Sequence, residues 1–255
     1  MRRIVFLFLL VLCGCYLKAQ DEILTLNNLK QKNIAHLFAS ETIIAEDTDT
    51  LTRTEPLGFI GENYQRFYIH YLTVEKSETN PLCYHVTGKT RVKDNICNFT
   101  GEIILDSIIH HNINENDYHG SGFSDAGIIY GHYTFREDKT QKGTGIFNGK
   151  VSVNYYQKKG NLYYDAYMFM ADGYDNCQYE GVWKSYKTSK EKICNWGDYR
   201  IPNSGDLDEG CGEFIPQGKY AGFGWMSYIL SQAIPYNSDY EKNPVYIEEN
   251  REWWK

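Results

Sequence analysis

Acidic residues are one group of side chains in this chain that could carry out catalysis. Glycoside hydrolysis needs two carboxyl groups at a defined separation, and Asp165, Asp172 and Glu180 are the candidates. The sequence does not fix the distances between them. It contains no Gly-x-Ser-x-Gly nucleophile elbow, no phosphate-binding glycine loop and no histidine pattern beside its cysteines. We therefore favour a protein without catalytic activity.

Potential metal ligands follow no recognised spacing. His110 and His111 lie in one polar stretch with His119, but adjacent histidines rarely bind the same ion. Asp206 and Asp208 form an Asp-x-Asp pair that lacks the glycine and distal glutamate of an EF-hand at the required offsets. The cysteines match no zinc motif. The sequence thus predicts no metal site and no cofactor.

Aromatic side chains are a third group of residues that could form a functional site. The chain has 22 tyrosines, and aromatic residues make up 15% of it. Tyrosine suits half-buried positions in a sheet, and its ring also offers a stacking surface for sugars. Our candidate residues for binding a small apolar or glycan ligand share a predicted face with recurring glycines. They are Tyr84, Phe99, Tyr133, Phe147, Tyr179 and Trp183.

The stretch 84–105 is the element that must position these residues. Its strict alternation predicts two antiparallel strands, each with one apolar face. A hairpin turn at Asp94-Asn95 would set Gly88 opposite Gly101. The polar face of this hairpin carries side chains that we predict to form ordinary cross-strand pairs on the outside, or to line a cavity if the lumen is polar. These are His85, Lys89, Arg91 and Glu102.

The unit of a glycine flanked by alternating aromatic or branched residues recurs along the chain. Glycine weakens a strand, so repeated glycines at one phase need a reason, such as strand coiling or room for a ring. We predict an all-β fold in which an antiparallel meander closes into a barrel, with a rolled sandwich as the alternative. The glycines are Gly88, Gly101, Gly131, Gly149 and Gly181.

Gly181-Val182-Trp183 resembles the Gly-x-Trp motif of the lipocalin family, in which the tryptophan closes one end of a β-barrel. In that family the motif opens the first strand, whereas here it follows most of the strands. The resemblance implies a lipocalin-like barrel that binds its ligand inside.

The other segments are predicted to surround this barrel. Residues 20–62 form an N-terminal arm with a short helix, 63–200 form the barrel, and 201–255 form a C-terminal loop and helix that pack on it. The polar stretch 108–127 is predicted to be a long loop. Residues 219–233 are the helix candidate. Pairing of 178–187 with 192–199 would set Trp183 opposite Trp196.

Residues 1–19 are predicted to be a signal peptide. Arg2-Arg3 precede a short apolar run, which is typical of secretion and too short to span a bilayer. Cleavage after Ala19 resembles the processing of many Bacteroidota secreted proteins. The alternative is a lipobox that ends at Cys15, which would then carry the lipid. Both alternatives predict an exported protein that is periplasmic, extracellular or anchored to the outer membrane.

Net charge and composition limit the classes of partner that the sequence favours. The net charge of −7 does not favour nucleic acid, and membrane contact is expected through a lipid anchor alone. We expect an exported non-enzymatic barrel that binds a small apolar or glycan ligand. A carbohydrate-active enzyme or glycan-binding sandwich is one alternative, and an envelope component with a protein partner is another. Disulfide pairing stays open among Cys83, Cys97, Cys177, Cys194 and Cys211.

Overall fold

The structure is a computed structural model that describes residues 23–45, 49–114, 118, 120–235, 237 and 239–255. The predicted signal peptide, Cys15 and His119 lie outside the described residues. Strands make up 45% of the chain and helices 14%, so the predicted all-β class is confirmed. No helix among the described residues is long and apolar enough to cross a bilayer.

Strands and short helices follow one another along the chain. The strands are β1 (Thr42–Ala45), β2 (Asp49–Thr52), β3 (Leu57–Ile60), β4 (Gln65–Lys76), β5 (Cys83–Val92), β6 (Asn95–His110), β7 (Asp125–Glu137), β8 (Gly145–Lys158), β9 (Asn161–Tyr164), β10 (Asn176–Ser185) and β11 (Glu191–Asp198). The α-helices are α1 (Leu26–Leu29), α2 (Ala35–Phe38), α3 (Met226–Ser231) and α4 (Pro244–Glu249).

The large sheet closes on itself. Its strands follow the order β10-β11-β3-β4-β5-β6-β7-β8-β9, and β10 also pairs with β8. Eight of these nine strands therefore form a ring, while β9 extends the β8 hairpin outside it. Every pairing is antiparallel. The predicted meander that closes into a barrel is confirmed, and one of its strands, β3, comes from the segment predicted as an arm.

The turn between β5 and β6 lies one residue earlier than predicted. Val92 pairs with Asn95, so Lys93 and Asp94 form the turn. Lys93 takes the left-handed conformation, with φ of 55°. Lysine is an uncommon residue for that conformation, so the sequence favoured the Asp-Asn pair instead.

This turn changes the register of the whole hairpin. Gly88 lies opposite Phe99, and Gly101 lies opposite Val86, so the predicted pairing of the two glycines is wrong. Gly88 still faces the interior. A Cβ atom on it would lie 2.2 Å from the carbonyl oxygen of His70 and 2.6 Å from the Phe99 ring. The aromatic ring thus fills the space that a side chain would need.

A pair of glycines does meet where the ring closes. Gly149 of β8 lies directly opposite Gly181 of β10. A Cβ atom on Gly181 would lie 2.6 Å from the hydroxyl of Tyr133 and 2.2 Å from a backbone oxygen of β8. Because neither glycine has a side chain, Tyr133 of β7 can lie across the pair of β8 and β10 that closes the ring.

The predicted pairing of β10 with β11 is also corrected, because the turn that joins them is longer than expected. Trp183 pairs with Lys192, and Trp196 pairs with Tyr179, so the two tryptophans are not opposite each other. The connection 186–190 is longer than the predicted turn, and a bulge follows Asn176. Extra residues at turns and bulges shift the pairing of all positions beyond them.

The predicted loop 108–127 is shorter than expected. β6 continues to His110, β7 begins at Asp125, and Ile109 pairs with Ile128. A bulge between Leu105 and Ser107 interrupts the alternation of β6. The strand therefore continues past the point where its sequence pattern breaks.

The N-terminal segment packs into one end of the barrel. Leu29, Leu37 and Phe38 belong to the same buried cluster as the barrel interior. The backbone N–H of Ile34 donates to the hydroxyl of Tyr84 at 3.1 Å. The predicted short N-terminal helix is thus present as α1 and α2.

The C-terminal segment packs on the outside of the sheet. Gly224 has φ of 94° and interrupts the predicted helix, which becomes a 3-10 helix at Gly218–Phe223 followed by α3. Trp225 is fully buried against Phe59 and Phe214. Its Nε1 donates to the backbone oxygen of Tyr64 at 2.8 Å. Trp225 thus docks this segment on the sheet.

Candidate functional site

The six aromatic residues proposed from the sequence form part of the barrel core. All except Trp183 are at most 2% exposed. Tyr133 packs edge-on against Tyr179 with centroids 5.2 Å apart, and Phe99 stacks on Phe135 at 4.9 Å. A ligand among these residues would have to displace rings that already contact one another. The ligand role of Tyr84, Phe99, Tyr133, Phe147, Tyr179 and Trp183 stays a prediction.

Trp183 lies at the barrel end where β7 ends and β8 begins. Its Nε1 donates to the carboxylate of Glu137 at 2.9 Å. Glu137 also accepts from the Thr90 hydroxyl at 2.5 Å and from the backbone N–H of Gly145 at 2.8 Å. Burial raises the pKa of this carboxyl, and the three hydrogen bonds oppose the shift. These contacts hold the barrel end together.

The candidate hydrolytic carboxylates have separate partners. Asp165 is buried and accepts from the Tyr118 hydroxyl at 2.7 Å. Glu180 lies on the exposed face of β10 and accepts from Asn203. Asp172 is exposed near Gly212. None of the described contacts joins these three carboxylates to one another.

An open groove of about 540 Å³ lies outside the barrel, between the β4–β5 face and helices α3 and α4. We call it the Arg91 groove. Its floor consists of polar and aromatic residues of the two strands, and its walls are largely apolar. Its lining includes Arg66, Tyr68, Arg91, Lys93, Met226, Leu230, Val245, Glu248 and Arg251.

Tyr68 forms the centre of the groove floor. Strand pairing sets Arg91 directly opposite it, and the Arg91 guanidinium lies 3.8 Å from the centre of the Tyr68 ring. The Arg66 guanidinium lies 4.5 Å from the same ring. Burial raises the pKa of Tyr68 to about 12 despite the nearby arginine, so the phenol stays neutral and its ring attracts both cations.

Arg66 fastens α4 to the sheet. Its two terminal nitrogens donate to the two carboxylate oxygens of Glu249 at 2.8 and 2.6 Å. Such a two-point ion pair is geometrically specific and strong. The Arg66 guanidinium is thereby occupied within the protein, and it fixes one wall of the groove.

Arg91 has no such two-point ion pair among the described residues. The residue is 4% exposed, and its Nε has no hydrogen-bond partner among the described residues. The nearest carboxylate is that of Glu248, 3.9 Å from a terminal nitrogen, and this carboxylate lies closer to Arg251 at 3.0 Å. A buried cationic donor without a partner costs free energy, on the order of 1–3 kcal/mol for the lost hydrogen bond. Arg91 thus keeps one donor, Nε, that no described residue uses.

The charge of the groove contrasts with that of the chain. Four cationic and two anionic side chains line it, whereas the whole chain has a net charge of −7. Apolar groups of Met226, Leu230 and Val245 line the same space. The arrangement suits a ligand that combines a carboxylate, sulfate or sulfonate with an apolar body.

Sequence reasoning placed Arg91 on the polar face of the hairpin but did not identify the groove. Arg66 and Glu249 are separated by 183 positions, and no local pattern joins them. The one available signal was the paired Trp253-Trp254 near the C terminus. Trp254 stacks on His70 with centroids 3.8 Å apart, and Trp253 contacts Tyr68.

Comparisons with known proteins give no relative from which a function could be carried over. The chain matches no family model, no curated protein and no solved structure.

Proposed function

We propose that this chain is an exported, non-enzymatic β-barrel protein that binds a small anionic ligand with an apolar portion in the Arg91 groove. The barrel interior gives the fold its rigidity, and the ligand binds outside it. The proposal keeps the class of function predicted from the sequence and moves the site from the aromatic core to the outer face.

The observation that carries the proposal is Arg91, which lines an open groove and whose buried Nε has no hydrogen-bond partner among the described residues. An arginine can bind a planar or tetrahedral oxyanion through two parallel hydrogen bonds. A ligand anion would displace the distant carboxylate of Glu248, which already has Arg251 as its closer partner. Binding would therefore give the terminal nitrogens of Arg91 a closer anionic partner without leaving Glu248 unpaired.

The test uses two fluorescent probes that share one aromatic body. 1-Anilinonaphthalene-8-sulfonate carries the anion, and N-phenyl-1-naphthylamine lacks it. We expect the sulfonate to bind the folded protein more tightly. Substitution Arg91→Met should weaken sulfonate binding by about 10- to 100-fold, the equivalent of one charged hydrogen-bonding group. Titrations followed by energy transfer from tryptophan measure both affinities.

Arg136→Met is the matched control, because Arg136 is an exposed arginine on the outer face of β7. It should leave binding of both probes unchanged. Near-ultraviolet circular dichroism verifies that each variant is folded. Equal sulfonate affinity in the wild-type and Arg91→Met proteins, or equal affinity for both probes, would show that Arg91 does not recognise an anion.

A further inference from the structure

A second cluster of chemically active side chains lies on the outer face of the same hairpin. The Cys83 thiol, one ring nitrogen of His85 and one carboxylate oxygen of Glu102 all lie within 4.8 Å of one another. The distance from Cys83 Sγ to Glu102 Oε2 is 3.8 Å. We call these residues the Cys83 cluster.

Strand geometry explains why the three side chains converge. Cys83 and His85 are two residues apart on β5, so their side chains leave the strand on the same side. His85 lies directly opposite Glu102 of β6, which brings the carboxylate beside both residues. Two strands thus supply three donors without any loop, and the cluster is as rigid as the sheet that carries it.

The spacing of the donors is close to that of a tetrahedral metal site. Zinc bonds of about 2.0–2.3 Å to nitrogen, oxygen and sulfur require donor atoms about 3.3–3.6 Å apart in a tetrahedral site. Small side-chain rotations would bring the present positions to these values. Cys83 is 3% exposed, whereas His85 is exposed, so the thiol is shielded while an ion can enter from the solvent side.

The chemistry of the donors selects the ion. A thiolate and an imidazole favour zinc over magnesium or calcium, which prefer sites made of oxygen atoms. Three protein ligands leave one tetrahedral position for water. Glu75 of β4 lies opposite His85 on its other side and is the nearest further carboxylate in the register.

We propose that Cys83, His85 and Glu102 form a Zn²⁺ site that joins β5 to β6, with water or Glu75 in the fourth position. Binding replaces the thiol proton of Cys83 with the metal and releases that proton to solvent. The sequence did not reveal this site because its ligands come from two strands and match no cysteine or histidine motif.

The site is independent of the Arg91 groove. His85 and Arg91 are six residues apart on β5, which corresponds to about 20 Å along the strand. Arg91→Met should therefore leave metal binding unchanged, and loss of the Cys83 cluster should leave binding of the sulfonate probe unchanged.

Metal binding is measured on the reduced, metal-free chain, expressed without a polyhistidine tag. We expect one equivalent of Zn²⁺ to bind in competition with a chromophoric chelator. Co²⁺ in its place should give the near-ultraviolet charge-transfer band of a cobalt–thiolate bond. Cys83→Ser should abolish this band, and His85→Gln should weaken Zn²⁺ binding by more than about tenfold.

Cys97→Ser and His132→Gln are the matched controls, because each removes the same residue type elsewhere in the sheet. Both should keep one equivalent of Zn²⁺ and the cobalt band. His85 is exposed, so His85→Gln tests the site even if Cys83→Ser does not fold. Absence of stoichiometric binding, or binding that survives both substitutions in the cluster, would overturn the proposal.

Discussion

Single buried polar residues hold the ends of this barrel together. Glu137 is the clearest case, since a carboxylate with 6% exposure accepts hydrogen bonds from Thr90, Gly145 and Trp183. The lipocalin-like Gly-x-Trp motif thus has a local structural role here, because its tryptophan donates to this carboxylate. Burial raises the pKa of Glu137 in the folded state relative to the unfolded chain.

Glu137→Gln should reduce the pH dependence of stability. With a raised pKa, the folded protein binds a proton above about pH 4.5 that the unfolded chain has released. The wild-type contribution of Glu137 is therefore greatest at low pH and is lost as pH rises through the folded-state pKa. Urea unfolding at a series of pH values measures this. The free energy of unfolding should fall less steeply with rising pH for Glu137→Gln than for the wild-type protein.

Glu191→Gln is the control for this experiment, because Glu191 is exposed at the start of β11. Its free energy of unfolding should change with pH as steeply as that of the wild-type protein. A Glu137→Gln slope equal to that of the wild-type protein would mean that Glu137 does not bind a proton more tightly on folding.

At the scale of the strand, glycine and aromatic residues are complementary. The interior of the ring is crowded with rings from neighbouring strands, and each interior glycine lies where a side chain would collide. Gly88 is the strongest example on β5, with the His70 carbonyl oxygen and the Phe99 ring both within 2.6 Å of the position of a Cβ atom. Close packing, as well as curvature, therefore explains the repeated glycines.

Gly88→Ala should destabilise the protein by about 1–3 kcal/mol, because the added methyl group must push backbone atoms of β4 apart. The free energy of unfolding in urea measures this. Gly222→Ala makes the same chemical change where nothing lies within 4 Å of the added atom and φ is not positive. It should be neutral. Equal effects of the two substitutions would show that the close approach at Gly88 has no energetic consequence.

At the scale of the whole molecule, the barrel carries a segment at one end and another along its side. The N-terminal residues close one end, where Arg53 donates to the buried carboxylate of Asp198 at 2.7 Å. The C-terminal residues cover the outer face of β4 and β5 and form a wall of the Arg91 groove. The buried N-terminal side chains belong to the cluster of the barrel interior, and the C-terminal cluster around Trp225 includes Phe59 of β3, so both segments pack on the closed ring.

The proposed export leads to a distinct prediction about the mature chain. Expression of the full sequence in a bacterial host should give a product that lacks residues 1–19, detected by intact mass and N-terminal sequencing. A product that begins at Cys15 with a mass increase from attached acyl chains would support the lipoprotein alternative instead. Cys15→Ala should leave the first outcome unchanged and abolish the second. An unprocessed chain in the cytoplasm would contradict both alternatives.

Much of the architecture follows from local pattern. Alternation in 84–105 correctly separated the interior face of the hairpin from its polar face, and the phase of the glycines indicated a rolled, closed sheet. The pairing of individual residues did not follow, because a turn at Lys93 or a bulge near Asp106 moves every later pair. Local periodicity fixes which side a residue faces, while register depends on backbone conformation at a few positions.

The sequence by itself determined the all-β class, the apolar lining of the barrel and the common polar face of His85, Arg91 and Glu102, and the closed sheet then placed that face outside. Only the tertiary structure decided that the aromatic face is filled by its own rings, that Arg91 lies beneath C-terminal helices and that Cys83 meets Glu102. The physical reason is the distance along the chain over which each feature is decided. Alternation depends on neighbouring residues, whereas both candidate sites depend on contacts between segments that come together only when the sheet pairs and closes.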